Sequence, residues 1–146
     1  GDVYKRQVYI SVTGDPIHKY AVDVTFEALV FTYSTGSTWD TEEHQYKVTG
    51  EAAWSPAKTV TISNHSDLSV WYSASVGTVS TEYGPISVKF NDTADSIAST
   101  EITKCEVGGP ATTASFTVGL EGAPTVGQIT DKVIGTVTVT ISKTSD

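Results

Sequence analysis

Asp40, Glu42 and His44 stand at alternate positions of the run WDTEEHQYKV, Trp39 to Val48. In an extended chain, alternate side chains leave from one face. Two carboxylates and an imidazole would then converge, a donor set suited to a divalent cation. The same three residues equally suit a solvated polar hairpin, since charged side chains are an ordinary protection for exposed strands. A second acidic loop, Asn91-Asp92-Thr93-Ala94-Asp95, offers oxygen ligands but fewer than a known calcium loop supplies. Calcium is thus the one ion these acids suggest, and no other cofactor is expected.

The three tryptophans carry a different chemistry. Trp39 and Trp54 sit beside turn residues, and Trp71 has the opposite parity to Val70 and Tyr72. If Tyr72 faces a core, Trp71 lies on an outer face or under a loop. An exposed indole can stack on the apolar face of a sugar ring, and it can equally cover a loop or a sheet edge. Trp39, Trp54 and Trp71 are therefore the candidate ligand-binding residues, with a cell-wall or host glycan as the ligand and another protein as the alternative.

Catalytic patterns are weaker. His65 lies in the break Asn64-His65-Ser66-Asp67 between two alternating runs, without an acid–base partner nearby in sequence, and is read as a turn or brace residue. Asn64, Ser66 and Asp67 suit a tight connection, Asn64 through a left-handed backbone. Asn64-His65-Ser66 also matches a glycosylation sequon. The chain has no G-x-S-x-G, and no histidine stands near a nucleophile in a recognisable context. Paired glycosidase carboxylates can be far apart in sequence, but nothing selects a pair. The single cysteine, Cys105, rules out an internal disulfide and any zinc site built on several thiolates. The expectation is a protein that is not an enzyme.

The elements that would position these residues are short strands. Val8, Ile10 and Val12 alternate with polar residues up to the turn Gly14-Asp15-Pro16; Tyr20, Val22, Val24 and Phe26 share a face, and the phase changes near Ala28. Val60 and Ile62, then Leu68, Val70, Tyr72, Ala74 and Val76, continue the pattern. Further strands are predicted around Ile86, Val88 and Phe90, around Ile102 or Cys105, around Phe116, Val118 and Leu120, and around Val137, Val139 and Ile141. Thr93 to Thr100 is expected to make one helical turn. About eight or nine strands with one wet face each imply an all-β, two-layer antiparallel sandwich, with a closed barrel as the structural alternative.

The 146 residues are enough for one domain with a core. Seventeen acidic residues against nine basic give a net charge of -8. That balance repels phosphate backbones and anionic membranes, so neither nucleic acid nor a membrane surface is an expected partner. No apolar run has the roughly 18 residues of a membrane span. Gly1 resembles the scar of a removed tag, and Asp2 to Gln7 (DVYKRQ) resembles translated sequencing-adapter sequence at the edges of metagenomic reading frames. Residues 1–7 are accordingly expected to be a non-native or disordered segment, 8–142 the domain, and 143–146 a tail.

The run KTVTISNHSDLSV resembles the turn-and-strand signature of bacterial immunoglobulin-like surface domains. ATTASFTVGLEG and IGTVTVTIS resemble the last two strands of such domains, and Tyr20 to Tyr46 is similar to a segment of small secreted proteins of Gram-positive gut bacteria. The resemblance implies an immunoglobulin-like Greek key, an extracellular or cell-wall location, and a structural or adhesive role without catalysis. A further expectation is a surface-fibre subunit, in which Val8 to Thr13 would be donated as a strand to a neighbour's sheet edge; the chain would then be an oligomer rather than a monomer.

Overall fold

The computed structural model describes residues 5–10, 20–125 and 132–145, the first of these as backbone. Twelve strands and no helix are found there: β1 (Lys5–Ile10), β2 (Val22–Phe26), β3 (Tyr33–Ser34), β4 (Ser37–Asp40), β5 (Gln45–Val48), β6 (Ala53–Trp54), β7 (Lys58–Asn64), β8 (Val70–Val76), β9 (Ser87–Phe90), β10 (Ile97–Ile102), β11 (Thr112–Glu121) and β12 (Thr136–Ser142). Eight of them make two four-stranded sheets, in the orders β1-β12-β8-β10 and β2-β7-β11-β9. The other four form two short ribbons, β3-β6 and β4-β5. Among the described residues no helix is long and apolar enough to cross a membrane.

The pleat explains the layers. Val137, Val139 and Ile141 on β12 are buried while the intervening threonines are not, and Val60 and Ile62 on β7 repeat the pattern. Each such side chain taken out of water stabilises the fold by about 1.5–3 kcal/mol. The buried faces of the two sheets meet. Tyr72 of β8 stacks on Phe116 of β11 with ring centroids 6.1 Å apart, and Phe116 in turn lies 5.9 Å from Phe90 of β9. Val70, Ala74, Ile102, Val88 and Val118 complete this single core. The chain is thus an all-β sandwich.

The strand order is interleaved. From β7 to β12 every consecutive strand lies in the opposite sheet, so no two consecutive ones pair. All ladders are antiparallel except β1 with β12, which is parallel, from Lys5 opposite Thr136 to Ile10 opposite Ile141. β1 thus starts at Lys5; Ser11 to Thr13 and the turn at Gly14 lie outside the described residues.

Two local expectations are corrected. Residues 93–100 do not form a helical turn: Phe90 bridges to Ala94 across a tight turn with left-handed Asn91 and Asp92, and β10 follows. Ile97 alone gives that strand little periodicity, and its pairing with β8, shifted between Ile97 and Thr100, decides its form. The phase change near Ala28 is the end of β2. Beyond it an irregular segment buries Leu29 and Phe31 while Val30 points outward.

Candidate functional site

Among the described residues Asn64 and Ser66 are the buried polar side chains, both at 0% exposure. Asn64 is the last residue of β7, not a left-handed turn residue. Its Nδ2 donates to the carbonyls of Leu68 (3.1 Å), Ile102 (3.1 Å) and Thr103 (3.0 Å), and its Oδ1 accepts the Ser66 N–H at 2.9 Å. Ser66 Oγ accepts the Ala21 N–H at 2.8 Å and donates to the Ala21 carbonyl at 3.3 Å. The Ser66 carbonyl takes the N–H of Cys105. One amide and one hydroxyl so tie together the start of β2, the end of β7, the start of β8 and the end of β10. Buried polar groups need such partners. Fully buried and bonded, the Asn64 amide is closed to glycosylation in the folded chain. His65 braces the corner, with its backbone N–H on the Ala21 carbonyl and Nε2 3.2 Å from Asp23 Oδ2. This node is structural.

The metal-type triad is not assembled. β4 stops at Asp40, residues 41–44 turn, and His44 sits at φ 55°, so the extended run that would align Asp40, Glu42 and His44 does not exist. Asp40 Oδ1 accepts the N–H groups of Glu42 (2.8 Å) and Glu43 (2.9 Å), and Oδ2 lies 3.0 Å from Lys47 Nζ. The Glu43 N–H, then Lys47, then the Glu42 N–H hold the Asp40 carboxyl below its ordinary value. Among the described residues no group of three or more His, Cys, Asp or Glu could hold a metal ion. In the second acidic loop, Asn91 Oδ1 accepts the Thr117 N–H and Asp95 pairs with Lys89 at 2.6 Å.

What the turn at 41–44 builds instead is an amphipathic ribbon. Trp39 is directly opposite Tyr46 and Ser37 opposite Val48, so Trp39, Tyr46 and Val48 share a face. That face is bare: Trp39 is 48% exposed, Tyr46 72% and Val48 81%. Tyr46 meets Trp39 edge-on at 5.1 Å, and His44 stacks against it at 6.5 Å. The opposite face is polar, with Lys47 bridging Asp40 and Glu43. The ribbon closes at its base, where the Thr49 and Gly50 N–H groups both donate to the Gly36 carbonyl. Gly36 has φ 76°, and a Cβ there would collide with the Gly50 carbonyl.

The other two tryptophans lie elsewhere. Trp54, on β6, is half-buried; its Nε1–H donates to the Gly122 carbonyl at 2.7 Å and its ring meets Tyr33 edge-on at 5.0 Å. It walls an open dish of about 230 Å³ shared with Lys89, Asp92, Leu120 and Glu121. Lys89 is held above its ordinary value chiefly by its hydrogen bond to Asp95, with Glu121 adding to the field. Trp71 lies on the outer face of its sheet between Glu101 and Ser142, as its parity predicts. The three indoles therefore stand on separate elements and form no common platform. Tyr46 and Val48 were missed from sequence, although their parity with Trp39 across a four-residue turn is the signal that finds them. Glu121 and Lys89 carry no such signal, because only the β9–β11 pairing brings them beside Trp54.

No family model, no curated protein and no solved structure matches the chain.

Proposed function

We propose that this chain is a non-enzymatic β-sandwich of the cell exterior with an adhesive role, and that its β4-β5 ribbon makes the contact by stacking on a cell-wall or host glycan. The observation that carries this reading is the bare Trp39–Tyr46–Val48 face on a ribbon braced from behind. Trp and Tyr give large contact area for little side-chain entropy, and bracing by Asp40 and Lys47 lowers the cost of binding. The resemblance to bacterial surface domains supports the location.

Glycan arrays carrying cell-wall polysaccharides and mucin-type chains test it. The intact chain is expected to bind a subset, and Trp39→Ala or Tyr46→Ala to lose at least about tenfold in affinity, the scale of a contact hot spot. A chain with Ser37–Val48 replaced by a short Gly-Ser turn is expected to fold and not bind. Binding to no glycan, or equal binding by all variants, overturns the reading; capture of a protein ligand alone would do so too. The Trp54 dish supports a second reading, a glycan-binding site in which an indole wall faces Lys89, Asp92 and Glu121. Loss of binding on Glu121→Gln with the ribbon variants unaffected would favour it.

A further inference from the structure

The dish beside Trp54 lies on the outer face of the β2-β7-β11-β9 sheet. Phe116 and Val118 of β11 are buried, so Gly119 and Glu121 point away from the core, and Lys89 does so from β9, directly opposite Gly119. The floor is low because two small residues meet there: a Cβ at Gly119 would find the Ala57 Cβ at 3.4 Å. The indole that walls the dish is held in place. Its Nε1–H is anchored on the Gly122 carbonyl at 2.7 Å, and Tyr33 meets the ring edge-on. Little side-chain freedom is left to lose on binding.

The charges around this hollow do not cancel. Lys89 already has a partner, Asp95, which does not line the dish. Asp92 and Glu121 do line it and are exposed, and among the described residues neither carboxylate makes a hydrogen bond or an ion pair. The turn that carries Asp92 is fixed, by Asn91 Oδ1 on the Thr117 N–H and by the bridge from Phe90 to Ala94. Two carboxylates without a cation of their own, next to a rigid indole, suit a positively charged group. The carboxylates accept its N–H groups, and an indole face attracts it. The net charge of -8 strengthens the field. A metal ion fits less well: a hard cation asks for six or more oxygens, and among the described residues no acidic group of three or more could hold one.

We infer that the dish binds a sugar carrying a free ammonium group, an amino sugar without its acetyl cap. Asp92 and Glu121 take the ammonium, and the apolar face of the sugar ring lies against Trp54. A flat indole suits a ring face, whereas a lysine side chain is a thin stem that would leave the hollow above Gly119 and Ala57 unfilled. Acetylation removes the charge and adds bulk, so the site separates two forms of one polymer. The inference rests on the reading of the dish as a glycan site and gives that site its ligand class. It is independent of the β4-β5 ribbon, which contributes no lining residue.

Titration calorimetry at mildly acid pH, where carboxylates are ionised and amines protonated, tests it with oligomers of glucosamine, N-acetylglucosamine and glucose of equal length and linkage. The glucosamine oligomer is expected to bind at least about tenfold more tightly than either neutral one, and to weaken as salt is added. Glu121→Gln and Asp92→Asn should each weaken it about fivefold, the upper end for an exposed ion pair. Glu106→Gln, the same change of charge at a position outside the dish, should leave it unchanged. Gly119→Val, which suits an outward strand position and fills the floor, should abolish binding while the melting temperature is kept. Equal binding of the three oligomers, lost in Gly119→Val, would overturn the ammonium and leave the glycan site standing; binding of none would overturn both. Equal binding of a lysine oligomer of the same charge, or equal losses in all three charge variants, would overturn the inference as charge attraction alone.

Discussion

Replacing Asn64 by alanine removes a buried side chain that bonds four backbone groups at once. Its amide has two hydrogens shared among three carbonyls at 3.0–3.1 Å, and its oxygen holds the Ser66 N–H. A net hydrogen bond contributes about 1 kcal/mol, and a buried group left unpaired costs about 1–3 kcal/mol. The loss of three well-made bonds with an orphaned Ser66 N–H comes to about 4 kcal/mol, before any cavity term. A chain of this length shifts by about 3 °C per kcal/mol, so the midpoint should fall by about 12 °C. Urea denaturation followed by tryptophan fluorescence, with calorimetry, measures both. Asn64→Asp sharpens the test. Its oxygens would face three carbonyls in a dry site, raising its carboxyl above the unfolded value of about 3.9. A raised folded value means the penalty is full above it and relaxes as pH falls towards the unfolded value. The aspartate variant should therefore be less stable than the alanine variant at pH 7 and approach it near pH 4. A loss below about 1.5 kcal/mol for Asn64→Ala, scarcely more than one hydrogen bond, would refute the node.

Three other outcomes follow from the packing and the charges. Phe116→Ala should cost about 3–5 kcal/mol by equilibrium unfolding, since Phe116 joins Tyr72 of one sheet to Phe90 of its own. Gly122→Ala should destabilise by about 1–3 kcal/mol and shift the Trp54 emission, because φ 95° disfavours a side chain, the added Cβ would collide with the Pro85 carbonyl, and Trp54 bonds the carbonyl of this residue. The Glu42 and Glu43 amide protons should titrate with a midpoint below the ordinary aspartate value, seen by NMR. Asp40 is held low in the folded ribbon, so its support is present above its unfolded value and lost as pH falls through the depressed one. Asp40→Asn should abolish that titration.

Much of the frame was legible from alternation alone. Val137, Val139 and Ile141, and Val60 and Ile62, face inward as period-two patterning requires. Trp71 lies outside because its parity is opposite to that of its neighbours. Alternation reports which face is buried but not which strand lies alongside, so the interleaved order of β7 to β12 was out of reach. Asn64 was misread for a related reason. In sequence it stands among turn residues, and its burial depends on the carbonyls of residues 102 and 103, which only the β8–β10 pairing brings to it. The metal-type spacing failed because it presumed an extended chain where Asp40 itself nucleates the turn, by accepting two N–H groups ahead of it.

The interleaved order also separates what holds the fold from what it presents. Since consecutive strands from β7 to β12 never pair, each ladder there joins segments far apart in sequence, and a change at one corner is felt in both layers. Asn64 and Ser66 sit at such a corner, which leaves that corner little freedom to vary for binding. The β4-β5 ribbon is the opposite case. It leaves and returns at Gly36 and Gly50, makes its own hydrogen bonds and ion pairs, and contributes no side chain to the core. Surface chemistry can change there at little cost to the sandwich. β1 is the corresponding case at the sheet edge, added to a strand that is already fixed on its other side. The ribbon's bonds are its own, whereas a buried amide and hydroxyl keep the two layers in place.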